Sequence, residues 1–259
     1  MLYSKYLQMH LKSSLEYRVN TFMVMFSQIF INLSELISIY ILFSQCKSVG
    51  SWGFYETALM YGIILSVYSF AECFARGYDE FPSLIKKGDL DRMLVRPVSI
   101  HRQIFYSKIE FTKLARVALG LIVSIIAIIN LNIEWTVLKV LVLLATYVCG
   151  CLVILGLFMI GAGVSVFTIE NLEFINIITN GSREIGYYPI NIYGKWLSKI
   201  FTFIIPIACF NYLPMSYILG VGNLPKVVYA LSPLMGAVFV VPCILFLNWA
   251  LKKYQSSGT

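Results

Sequence analysis

Few side chains in this 259-residue chain are placed to do chemistry. Metal ligation and nucleophilic catalysis both need His, Cys, Asp, Glu or Ser groups that converge. The two histidines, His10 and His101, stand far apart in the sequence. The six cysteines, at 46, 73, 149, 151, 209 and 243, form no CxxC pair. Most fall inside apolar runs, where they read as small packing residues. The phosphate-cradling pattern GxxxxGK[ST] is absent, because the one Gly-Lys pair, Gly194-Lys195, is followed by Trp196. ATP hydrolysis by the P-loop route therefore lies outside this chain's own chemistry.

Two polar features remain. The first is a stripe, Ser27, Gln28, Asn32, Ser34, Glu35 and Ser38. At 100° per residue it fills an arc of about 160° on an otherwise apolar helix. A carboxylate at the depth of Glu35 is costly in a bilayer and should face the bundle or a water-filled cavity. The stripe is expected either to line a translocation path or to hydrogen-bond between helices. The second feature is the charged insert over residues 76–114, which continues to Arg116 and carries nine basic and five acidic residues. Glu72, four residues before Arg76, is expected to form a local ion pair with it.

The elements that must position these groups are membrane spans. Charged residues make up 13% of the chain and hydrophobic ones 59%, against roughly 25% charged in a soluble domain. A hydrocarbon core about 30 Å thick takes about 20 apolar helical residues to cross. Six runs qualify, near 21–44, 55–75, 115–133, 137–164, 196–213 and 227–251. None has the form of a cleavable signal peptide. Seventeen of the twenty Lys and Arg residues fall before span one, between spans two and three, between four and five, or after six, leaving Lys47, Lys139 and Lys226 opposite. Basic loops stay in the cytoplasm, so both termini are expected there. Trp52 and Trp135 then mark outer span ends, and Trp196 and Trp249 inner ones. The net charge of +7 is a topology signal, and no basic soluble domain exists to bind nucleic acid.

The insert is longer than a turn needs, which points to function. Its segment FPSLIKKGDLDRMLVRPVSIHRQIF spells two short helices. Pro82 opens the first, Gly88 ends it in the left-handed conformation, Asp89 caps the second and Pro97 closes it, with Ser99 capping the stretch beyond. Leu84 and Ile85, then Leu90, Met93 and Leu94, give an apolar edge beside charges. That edge either docks on a partner or lies on anionic headgroups through Lys86, Lys87, Arg92 and Arg96.

Gly88-Asp89-Leu90-Asp91, then Leu94, Arg96-Pro97 and Ser99, resembles the first-loop signature of the bacterial ABC type-2 permease family. A second block, with Tyr188-Pro189, Trp196-Leu197, Pro206, Asn211-Tyr212-Leu213-Pro214 and Leu219-Gly220, is similar to that family's fifth-span region. The resemblance implies an all-α polytopic membrane protein: one permease domain over residues 1–259, six transmembrane helices and both termini cytoplasmic. It further implies an N-terminal cytoplasmic helix over 1–19, a coupling helix between spans two and three, and short re-entrant helices after span five, over 214–226. It implies an exporter subunit in the cell membrane that pairs with a second permease, identical or sister. A separate P-loop ATPase would bind ATP and Mg²⁺; no cofactor is expected in this chain.

In that arrangement Pro82, Leu84, Ile85, Gly88, Asp89, Leu90, Asp91, Arg92, Met93, Leu94, Arg96 and Pro97 would contact the ATPase, the apolar members packing and the charged ones pairing. Pro206, Asn211 and Pro214 break the backbone near the outer end of span five, either as a simple kink or as an outer gate. Between spans four and five, Glu170, Glu173, Arg183 and Glu184 mark a minor ATPase contact or a solvated connector. Related systems point to an amphiphilic substrate such as a drug, an antimicrobial peptide or a lipid-linked compound. Two further classes fit the topology: a proton-coupled secondary transporter using Glu35, and a non-transporting scaffold or immunity protein.

Overall fold

A 26-residue helix, Phe54–Asp79, is apolar over most of its surface and accordingly buried along most of its length, with Tyr55 and Phe70 exposed. Gly53 precedes it, and the Gly53 N–H donates to Glu56 Oε2 at 3.1 Å, half of a capping box. Everything else is arranged around it. The structure is a computed structural model that describes residues 2–46, 48, 52–168, 173–222 and 225–255, the side chains of residues 2–4 and 173–175 excepted. Lys47 and Glu170 lie outside the described residues, as do positions 223 and 224 of the 214–226 segment and the side chain of Glu173. The chain is 84% helical, with no strand among the described residues, as an all-α membrane protein requires.

In chain order the helices are α1 (Leu2–Glu16), α2 (Arg18–Gln45), α3 (Phe54–Asp79), α4 (Phe81–Lys86), α5 (Asp89–Leu94), α6 (Ile100–Ser107), α7 (Leu114–Asn130), α8 (Val137–Thr168) and α9 (Glu173–Gly186). Then come α10 (Lys195–Lys199), running into a π-helical turn over Ile200–Ile204, α11 (Ile207–Phe210), α12 (Tyr212–Leu219), α13 (Lys226–Ala237) and α14 (Val240–Lys252). Among the described residues, five helical runs are long and apolar enough to cross a bilayer: Arg18–Gln45, Phe54–Lys86, Phe111–Asn130, Val137–Thr168 and Lys226–Lys252.

Lipid is as apolar as leucine, so close packing must hold such helices together. The α3–α7 crossing shows how. Gly62 and Ser66 of α3 meet Gly120 and Ser124 of α7, and a Cβ on Gly62 would lie 2.7 Å from the Gly120 carbonyl oxygen, with the reverse equally true. Each serine hydroxyl donates to the glycine carbonyl one turn back, at 2.7 Å for Ser66 and 2.8 Å for Ser124, so no buried hydroxyl is left to repel the neighbour. By contrast α2 buries only Asn32, Ile39 and Phe43 and offers most of its surface outward.

The apolar run over 196–213 is two pieces, Lys195–Ile204 and Ile207–Leu219, meeting at 74° at the break expected from Pro206. Pro206 has no N–H to continue a helix, and the Ile205 N–H reaches back to Ile200 O at 2.9 Å instead. The polar α9, read as a solvated connector or ATPase contact, packs along α3 with Thr179 and Ser182 buried. Asn176 and Thr179 lie near Glu72 and Arg76, Arg183 sits over Tyr68, and Tyr187 meets Tyr61, so α9 runs antiparallel to α3 into the bundle.

Candidate functional site

The insert forms the two short helices spelled by its sequence. Pro82 lies in the first turn of α4, and Gly88, at φ 68°, makes the left-handed joint that starts α5. Ser99 Oγ accepts from the Arg102 N–H at 3.4 Å and starts α6. Gln103 Nε2 donates to Met93 O at 2.8 Å and Val98 O at 2.9 Å, clamping the turn between α5 and α6.

The apolar edge divides. Pro82, Ile85 and Leu90, expected to face a partner, are buried inside this chain because α4 and α5 fold onto the bundle. Leu84 and Met93 are partly covered. What stays outside is the tip: Leu94 is 48% and Val95 84% exposed, with Arg92, Arg96 and Pro97 beside them. Asp89 and Arg92 pair at 3.6 Å on that surface.

Several contacts not legible from spacing fix the base of the insert. His101 Nε2 lies 2.8 Å from Asn248 Oδ1 of α14, and the Tyr78 hydroxyl donates to His101 O at 3.1 Å. Tyr254, just past α14, has its pKa raised, first by burial and then by the carboxylate of Asp91. Arg76 pairs with Asp79, with Glu80 at 3.2 Å and with Glu110 at 3.3 Å; Lys108 pairs with Glu80. Glu110 N–H donates to Cys73 O at 2.9 Å. The insert is thereby tied to the adjoining ends of α3, α7 and α14.

Above this base, polar side chains continue into the bundle. Glu72 does approach Arg76, at 3.8 Å, as its spacing suggests, but its close partner is Arg116 of α7 at 2.6 Å, both buried. Tyr68, Glu72, Arg76, Asp79, Lys113 and Asn176 border a cavity of about 450 Å³. Higher up, the Arg183 guanidinium lies 5.5 Å from the Tyr68 ring centre. Tyr187 and Tyr61 come next, with centroids 4.7 Å apart. The Tyr61 hydroxyl donates to Asn32 O at 2.7 Å and lies 3.3 Å from Glu35 Oε2. A column of ionisable groups thus joins the charged insert to Glu35.

Of the α2 stripe, Gln28, Asn32 and Glu35 face this column, and Asn32 Nδ2 donates to Gln28 O at 2.6 Å. Ser27, Ser34 and Ser38 do not. They are exposed, and each hydroxyl bonds its own helix, at Met23 O, Ile31 O and Ser34 O. An arc of about 160° is wider than the strip α3 can cover, so the stripe splits between two faces.

At the other end, Pro206 caps α11, and Phe210 is seated so deeply that a Cβ on Gly150 would meet its ring at 2.6 Å. Asn211 is buried and its Nδ2 donates to Gly186 O at 2.6 Å, tying the broken segment to the end of α9. Pro214 is buried in α12, and Tyr212 packs on the buried Trp52 with centroids 5.4 Å apart. Trp52 is therefore an internal packing residue, not an interfacial anchor.

A bundle of apolar helices, a tethered charged insert at one end and a backbone broken beside α3 and α13 at the other define a transport permease. Residues 29–258 match the ABC-2 family transporter protein family, and the chain belongs to that family. Among curated proteins, none matches it significantly.

Proposed function

We propose that this chain is the membrane subunit of an ATP-driven exporter, and that the α5 tip seats in a separate P-loop ATPase that binds ATP and Mg²⁺. One observation carries the reading. The tip offers exposed Leu94, Val95, Arg96 and Pro97 on a base buried through Ile85 and Leu90 and tied to three span ends. A projection so mounted transmits force instead of flexing. Asp89, Asp91 and Arg92 flank it and orient the partner.

In this reading both termini are cytoplasmic, in the cell membrane. The fifth crossing is α9, so α10 to α12 form a re-entrant hairpin from the outer side, earlier in the chain than 214–226. Lys195, Trp196 and Lys199 then lie outside. Pro206, Asn211 and Pro214 shape the outer gate. The outward Ser27, Ser34 and Ser38 face a second permease, identical or sister, with which Gln28, Asn32 and Glu35 complete the route, and lipid covers the remaining apolar faces. The substrate class is amphiphilic.

The test is affinity purification of the protein in mild detergent, followed by an ATPase assay on wild type and on Leu94→Ala with Arg96→Glu. A P-loop ATPase should co-purify with the wild type and be lost or uncoupled in the double variant, which still inserts. A well-folded preparation without ATPase overturns the reading and turns attention to proton coupling through Glu35.

A further inference from the structure

Two arginines on the polar column have donors to spare. Arg116 is 4% exposed, and Glu72 takes only its Nη1. Its Nε and Nη2 have no hydrogen-bond partner among the described residues. Those two N–H groups lie on one edge of the guanidinium, the edge that grips an oxyanion with two parallel bonds. Arg183, on α9, is likewise short of an acceptor at Nε and leans on the face of Tyr68. Tyr68, under Arg183, and Glu72, paired with Arg116, border the same cavity, which places the two guanidiniums along one stretch of the interior. Lys113 adds a third cation, its nearest carboxylates, Glu72 and Glu110, both at 4.0 Å.

Buried donors are normally satisfied. Arginine has five N–H donors and no acceptor, so whatever completes this site must be an acceptor. The neighbouring carboxylate of Glu72 is already engaged by Arg116. No acidic side chain reaches the free edge of Arg116 among the described residues, so its two buried N–H groups have no protein acceptor.

We propose that Arg116 and Arg183 form an oxyanion-binding station inside the bundle, taking a carboxylate, phosphate or sulfate group. Resting on the exporter reading, this makes the substrate class an amphiphile with an anionic group, the alternative source of the same chemistry being the phosphate of an anionic lipid. The Arg116 fork holds the oxyanion, and Arg183, oriented by Tyr68, supplies the second contact on the way to Glu35.

The test uses the full-length protein in nanodiscs of phosphatidylcholine alone and of phosphatidylcholine with phosphatidylglycerol, probed with radiolabelled sulfate and inorganic phosphate. Saturable binding to the wild type in phosphatidylcholine is expected. It should weaken about tenfold in Arg183→Gln, the loss of one charge-assisted bond, and survive in Arg183→Lys. Arg116→Lys keeps a cation beside Glu72 but deletes the fork, so it should weaken binding by a similar factor even if Arg183→Gln fails to fold. If phosphatidylglycerol displaces the probes and is retained on delipidation by wild type but not by Arg183→Gln, the station takes lipid phosphate. If the probes bind equally in both nanodiscs, it takes a substrate group. No saturable binding in either nanodisc, or unchanged binding in folded Arg183→Gln and Arg116→Lys, overturns the proposal. Because binding needs no ATPase, failure of the ATPase to co-purify counts against the exporter reading alone.

Discussion

Replacing Glu72 with leucine should cost more stability than replacing Arg116, and replacing both should cost less than either. Glu72 and Arg116 are buried and 2.6 Å apart. Removing one partner of a buried pair typically costs about 3–5 kcal/mol, because the survivor is a desolvated charge, whereas an apolar pair of similar volume is often neutral. The two halves are not equivalent. Without Glu72, the Arg116 guanidinium loses its one hydrogen-bond partner among the described residues. Without Arg116, Glu72 keeps Arg76 at 3.8 Å and Lys113 at 4.0 Å. Glu72→Leu should therefore fall at the upper end, about 4–5 kcal/mol, and Arg116→Leu near or below about 3 kcal/mol. The double variant should lie within about 1–2 kcal/mol of wild type. Arg76 loses only a distant contact in it and retains Asp79, Glu80 and Glu110. The assay is unfolding of the purified protein in mixed dodecyl maltoside and dodecyl sulfate micelles, read as a double-mutant cycle. Additive single costs, or Arg116→Leu worse than Glu72→Leu, would refute the assignment of Arg116 as the more dependent partner.

Three further outcomes are expected. Gly120→Leu drives a side chain into the Gly62 carbonyl and Ser66, so it should destabilise the α3–α7 crossing by at least about 1–3 kcal/mol in the same unfolding assay, with Gly120→Ala milder. Asn211→Leu deletes the donor to Gly186 O and strands a buried carbonyl. It should cost about 1–3 kcal/mol and raise proteolysis between α9 and α12. A cysteine at Lys195, in a cysteine-free background, should react with an impermeant maleimide added to intact cells, and a cysteine at Arg96 only after permeabilisation; the reverse for Lys195 would make α10 to α12 a bent crossing instead of a re-entrant hairpin.

The insert was legible because its punctuation is local. Pro82, Gly88, Pro97 and Ser99 each act on the backbone within a few residues, and both short helices form where those residues put them, although Gly88 takes the N-cap of α5 expected of Asp89, which stands in the first turn without a side-chain cap bond. The faces of those helices were not legible. Burial of Ile85 and Leu90 depends on what α4 and α5 fold against, which no three- or four-residue spacing records. Hydropathy ranks apolar runs, so it finds the two pieces that meet at Pro206 but says nothing of how the polar α9 is seated, with Asn176 and Thr179 at a polar cavity and Arg183 over Tyr68. Arg116 was counted as an inner-loop cation, since nothing in local spacing links it to a glutamate 44 residues earlier. Buried polar residues inside a span mark function or tight packing. Here they were the residues most easily mistaken for loop.

The distribution of fastenings determines what a push on the α5 tip can move. His101 ties the insert to α14, Arg76 and Tyr78 tie it to α3, and Arg116 joins α3 to α7 through Glu72. Load applied at Leu94 to Pro97 is therefore carried by α3, α7 and α14 as one body. The α2 helix is bound to that body by far less. It buries Asn32, Ile39 and Phe43, and its polar link runs through the Tyr61 hydroxyl to Asn32 and Glu35. On the exporter reading, displacement of the body shears this seam first, where Glu35 sits, and carries Tyr61 past Tyr187, whose helix α9 holds the broken segment through Asn211. The α5 tip, Glu35 and the break at Pro206 then act in series, with the seam at Glu35 as the compliant link. Tyr61→Phe should loosen that link, lowering transport per ATP hydrolysed while leaving ATPase binding at the tip unchanged.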